Sequence, residues 1–154
     1  MANLQGHARK KWRAGGYFVE AGEHVSRLGY VQQGEHGPRP IVRRHDTFGF
    51  ADLLCVKGAY ETDFGHCRID GELVLLQVTS WSNVSARVNK IARESHGLGQ
   101  HARPMIEIAK MLLSIPGVRI VVEGWKLNKT TNRWESREVE VTPEVLDERR
   151  ERVK

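Results

Sequence analysis

Asp52 and Gln77 each stand inside an apolar run, Phe48–Val56 and Glu72–Ser80, where a polar group needs a reason. An ionised Asp in such surroundings costs several kcal/mol unless a metal, a proton or a partner compensates it. Side chains alternate along a strand, so Gln77 and Thr79 share one face, and Asp46, Phe48, Phe50 and Asp52 share another if that strand is unbroken. If the two runs pair as a hairpin, Asp52 and Gln77 become neighbours. A carboxylate with an amide oxygen, completed by backbone or water oxygens, is a hard-ligand set suited to Mg²⁺. Such an ion can activate a water and stabilise charge on a phosphodiester being displaced.

Each of these residues also has an ordinary reading. Asp52 can cap a backbone group or pair with Arg44, and Gln77 can satisfy buried amides. Thr79 is common in strands by propensity alone. Asp46 suits a turn at a strand entry, and Lys90 suits a solvated helix face. His66-Cys67 has no second pair at zinc-ligand spacing.

The elements that must position these groups follow from periodicity. Leu4–Ala14 reads as a short basic helix stopped by Gly15-Gly16, within a basic N-terminal segment 1–16. Tyr17 to Val25 reads as a strand, with a continued helix as its competitor. Residues 26–45 hold Gly29, Gly34, Gly37, Pro38 and Pro40 and read as a long irregular loop. The two apolar runs follow, apolar on both faces as in a sheet covered on both sides. Val84, Val88, Ile91 and Ala92 form a helical stripe, and Pro104–Ser114 forms a second helix. Val118–Trp125 and Trp134–Val141 read as strands, and 142–154 as a charged C-terminal helix. This is an α/β sandwich: one domain over 1–154, with a mixed central sheet flanked by helices.

The 154 residues, 40% of them hydrophobic, suffice for one core and include no apolar run of about 18 residues that would span a membrane. Two cysteines exclude a disulfide framework, and residues 1–13 lack an apolar leader, so a cytoplasmic protein is expected. The net charge of +5 is carried by residues 1–45, where 8 Lys/Arg face 3 Asp/Glu. That excess suits a polyanion, with Arg9, Lys10, Lys11, Arg13, Arg43 and Arg44 as nucleic-acid contacts and Trp12 among them as a stacking candidate.

The order of elements, with Asp on the second strand of the α-β-β-β-α-β core and a Gln-x-Thr tripeptide on the third, resembles the PD-(D/E)XK nuclease superfamily. The closer resemblance is to phage and bacterial proteins of the Holliday junction resolvase type. It rests on Arg44, Asp46, Phe48-Gly49-Phe50, Asp52-Leu53-Leu54, Gln77-Val78-Thr79-Ser80, Asn83, Arg87, Glu123-Gly124-Trp125-Lys126 and Trp134, within residues 10–140. It implies a restriction-endonuclease-like fold and a metal-dependent endonuclease for branched or structured DNA, working as a homodimer. By the same resemblance Asp52 and Gln77 are ligands for Mg²⁺ or Mn²⁺. Gln77 stands where the family has an acid, and Thr79 where it has a Lys that orients the attacking water. Lys90 is the candidate replacement for that lysine, and Glu20 or Glu23 the candidate additional carboxylate. The alternatives are an inactive nucleic-acid-binding module of the same fold and a protein-interaction domain.

Overall fold

A computed structural model describes residues 3–32, 38–58, 71–97 and 99–152, with the side chains of 23–45 and 99 left aside. His66 and Cys67 lie outside the described residues. Helix α1 (Leu4–Ala14) opens on Asn3, whose side chain accepts from Gly6 N at 2.8 Å. After it come β1 (Phe18–Ala21), β2 (Glu23–Gln32), β3 (Pro38–Asp46), β4 (Leu53–Lys57) and β5 (Glu72–Ser80). A 3-10 turn, Trp81–Asn83, leads into α2 (Val84–Arg93). The short strands β6 (Ser95–His96) and β7 (Arg103–Pro104) precede α3 (Met105–Leu113), then β8 (Val118–Asn128), β9 (Arg133–Val141) and α4 (Pro143–Glu151).

Five strands form one mixed sheet in the order β1-β4-β5-β8-β9, parallel only at β5–β8. The parallel step needs a crossover, which α2 and α3 supply. Alternation then sorts the apolar residues. Leu53, Cys55, Val74, Leu76, Val78, Val121 and Trp125 pack against α1. Leu75, Ile120, Val122 and Val141 pack against α2, α3 and α4. Both faces of β5 are therefore buried, as its unbroken apolar run requires.

Two sequence expectations change. Residues 26–32 and 38–45 are no irregular loop: β2 and β3 pair antiparallel from Glu23↔Asp46 to Gln32↔Pro38, in a two-stranded sheet of their own. Prolines are tolerated there because a two-stranded ribbon has only edge strands, and the register shift between Arg27 and Gly29 absorbs a bulge. The run from Phe48 to Val56 is not one strand either. Gly49 N donates to Asp46 O (2.9 Å) and Ala51 N to Thr47 O (2.9 Å), closing a turn in which Phe48 (φ 56°) and Gly49 (φ 83°) are left-handed. The shared face of Asp46, Phe48, Phe50 and Asp52 is thereby lost, yet the turn brings Asp46 back towards Asp52.

Gly124 on β8 shows how closely α2 sits on the sheet. A Cβ there would overlap Val84 Cγ2 and lie 3.1 Å from Trp81 Cα. Gly124→Ala is expected to destabilise the fold by about 1–3 kcal/mol, the usual effect of overpacking. Urea unfolding monitored by tryptophan fluorescence checks it; an unchanged midpoint would show that α2 can shift freely.

Candidate functional site

Asp52 precedes β4 and is held by backbone from both sides. Its N–H donates to Leu76 O (2.9 Å), and its carbonyl accepts from Gly22 N (2.8 Å). The side chain, 8% exposed, is thus aimed at β5. There Oδ2 accepts from Gln77 Nε2 at 2.5 Å and from Val78 N at 2.7 Å. The hairpin pairing that makes Asp52 and Gln77 neighbours is present, in the register Leu53↔Leu76. Two donors at one oxygen stabilise a carboxylate, but burial is stronger. It pushes the Asp52 carboxyl up to about 6, and the charge of Asp46 adds to it against the Val78 N–H, Arg87 and Gln77.

Gln77 is 2% exposed, and its Oε1 has no hydrogen-bond partner among the described residues. An orphaned buried oxygen of this kind costs about 1–3 kcal/mol. Thr79, also buried, follows on the same face of β5 and lies opposite Gly124 of β8.

Helix α2 supplies the cations. Its apolar stripe of Val84, Val88, Ile91 and Ala92 is buried, which leaves Arg87 and Lys90 half-buried on another side. Lys90 Nζ lies 3.9 Å from Asp46 Oδ2, and the Arg87 charge reaches Asp52. Asp52, Gln77, Asp46, Arg87 and Lys90 therefore form one neighbourhood. The i, i+3 spacing of Arg87 and Lys90 on α2 was the available signal for Arg87 as a site residue.

Other residues named from sequence lie elsewhere. Glu20 is exposed on the edge strand β1, opposite Leu54, and Glu23 is paired in register with Asp46 at the root of β2–β3. Arg9 is half-buried and Lys10 and Arg13 are exposed on α1, and Arg13 also donates to Val19 O (3.3 Å). Arg43 and Arg44 belong to β3. Lys11 corrects an expectation: its ammonium, though part-exposed, is engaged by acids of its own chain. It binds the fully buried Glu123 at 2.6 Å, Ser136 Oγ at 3.0 Å and the Glu138 carboxylate. Trp12 corrects another, being buried with Nε1 donating to Glu123 Oε2 at 3.2 Å. Cys55 is buried, its thiol pushed up to about 12 by desolvation and then by Glu123, so it is inert at neutral pH.

Among the described residues no three His, Cys, Asp or Glu side chains converge as a metal cage. The donor set at Asp52 is smaller but fits a divalent cation in two respects. Gln77 offers an oxygen without a partner among the described residues, and burial outweighs the groups that favour the Asp52 charge, Arg87 among them. Mg²⁺ commonly takes one or two carboxylates and keeps several waters. In the present rotamer Gln77 presents Nε2 to Asp52. Turning the amide over exchanges Nε2 for Oε1 and gives the two-oxygen arrangement a cation needs.

No helix among the described residues is long and apolar enough to cross a membrane. Comparison with protein-family models, with curated proteins and with solved structures finds no match to this chain.

Proposed function

We infer that the protein is a metal-dependent endonuclease acting on branched or structured DNA. The observation that carries this reading is a buried carboxylate beside an amide with an orphaned oxygen, within reach of the Arg87 charge and of an Asp46 that Lys90 contacts. Perturbed carboxylates placed among specific charge partners concentrate at functional sites. Asp52 and Gln77 would hold Mg²⁺ or Mn²⁺, with Asp46 in reserve. A bound divalent cation supplies charge neutralisation at a phosphoryl oxygen and a lower pKa for water. Arg87 and Lys90 hold the phosphate against the end of β5. Asp46 orients Lys90, which serves in place of the lysine that Thr79 does not provide. A homodimer follows from the need to cut two strands symmetrically.

The second reading is a nucleic-acid-binding module without catalysis. Thr79 at the lysine position favours it, as does the contact of Lys90 with Asp46 and not with Asp52. The two readings separate on four-way junction, flap and linear duplex DNA incubated with Mg²⁺ or Mn²⁺. The nuclease is expected to cut at least one substrate and to lose that cleavage on Asp52→Ala, with binding retained. Binding without cleavage by the unaltered protein would sink the nuclease reading.

A further inference from the structure

We propose that the β2–β3 ribbon is a duplex-DNA arm that lies in the major groove and delivers the adjoining phosphodiester to Asp52. This rests on the nucleic-acid part of the proposed function. The ribbon's two strands pair with each other in a sheet separate from the five-stranded one. A lone two-stranded ribbon is marginal in water and gains from a further surface to pack on.

Its charge identifies that surface. Glu23 and Asp46 stand opposite one another in register at the root. Beyond them the sequence has Arg27, Arg39, Arg43 and Arg44 against Glu35 alone. Its size agrees as well. Ten residues of β2 at roughly 3.3 Å each span about 30 Å, close to the length of one turn of duplex DNA. The major groove, about 12 Å wide, admits a two-stranded ribbon. The register shift between Arg27 and Gly29 adds the local twist that following a groove requires.

The root ties this arm to the site. Gly22 N donates to Asp52 O (2.8 Å), while Thr47 N (2.8 Å) and the Thr47 hydroxyl both donate to Gly22 O. A Cβ on Gly22 would stand 2.5 Å from Ala51 O, so the ribbon leaves the sheet in backbone contact with the residues that place Asp52. Asp46, the last residue of the ribbon, is the carboxylate beside Lys90. A duplex held by the ribbon would therefore have its backbone carried past Asp52, Arg87 and Lys90.

The test compares the full-length protein with R27Q/R39Q/R43Q/R44Q on a four-way junction in metal-free buffer. Three readouts are used: dissociation constant, its salt dependence, and dimethyl sulfate footprinting of guanine N7, which faces the major groove. The unaltered protein should protect N7 positions on one arm. The variant should lose that protection, bind on the order of 100-fold more weakly, and show a log–log salt slope shallower by about 4. R27K/R39K/R43K/R44K, which keeps the charge, should retain most of the slope; this separates charge loss from misfolding. Unchanged affinity and slope in the glutamine variant would overturn the proposal. So would absent N7 protection in the unaltered protein, or equal binding to single-stranded DNA. Protection in metal-free buffer with no cleavage once Mg²⁺ or Mn²⁺ is added would leave the arm standing and the nuclease reading refuted. Asp52-dependent cleavage with an unaltered glutamine variant would do the reverse.

Discussion

Asp52→Asn is expected to abolish cleavage and to make the protein more stable at pH 8. The site carries a carboxylate that burial pushes up to about 6 from 3.8. The folded state therefore holds a proton more tightly than the unfolded chain. Stability is fully present below pH 4 and declines as pH rises from about 4 to about 6, because the buried group must then ionise in place. One pKa unit is about 1.4 kcal/mol, so the loss is on the order of 3 kcal/mol. Asparagine can accept from Val78 N and Gln77 Nε2 through its own oxygen without that charge. Its melting temperature at pH 8 should exceed that of the unaltered protein by several degrees, and the difference should vanish near pH 4. Cleavage should fall at least about 100-fold, the scale on which a lost electrostatic stabiliser acts. Calorimetry at pH 4, 6 and 8 beside a cleavage assay checks both halves. A variant less stable at pH 8 would show that the Asp52 hydrogen bonds outweigh its burial, and the site would then read as a structural anchor.

The second large effect lies on the opposite face of the sheet. Glu123 is fully buried, with Lys11 and Trp12 of α1 as its partners. Burial opposes the charge on Lys11, but the Glu123 and Glu138 carboxylates outweigh it and hold the ammonium above its usual range. Lys11→Met leaves Glu123 buried with only the indole N–H. The expected loss is about 3 kcal/mol, the low end for breaking a buried pair, because the Lys11 side chain is 38% exposed and water can partly replace it. Lys11→Met with Glu123→Gln should recover most of that loss, since no unpaired charge remains. A chemical-denaturation double-mutant cycle measures the coupling. Strict additivity would mean that the α1 docking does not depend on this pair.

Much of this arrangement was legible from residue order, and the failures have physical causes. Leu4–Ala14 announced its helix through the Gly15-Gly16 stop, and Val84, Val88, Ile91 and Ala92 announced theirs through a helical apolar stripe. The Asp52–Gln77 contact followed from alternation once the runs were paired. Glycines and prolines in 26–45 concealed a ribbon, since breakers argue against central strands and say little about edge pairs. Nothing in Phe48 foretold its left-handed backbone, a conformation only surrounding structure can impose. Glu123 looked like one polar residue in the strand Val121-Val122-Glu123. Its compensation comes from Lys11, 112 positions away, which no local pattern encodes.

The parallel β5–β8 ladder also bears on how the chain reaches its fold. It joins Leu73 to Val118 and Ser80 to Trp125, so none of its rungs can form until the whole α2–α3 crossover has been gathered in. The β8–β9 hairpin needs only the short Asn128–Arg133 turn and can close in microseconds. Local pairs therefore precede the rung between the halves, whose loop-closure entropy is met late and sets the folding rate. Until that moment β5 has both faces uncovered, and the interval before closure is when this chain is most exposed to aggregation.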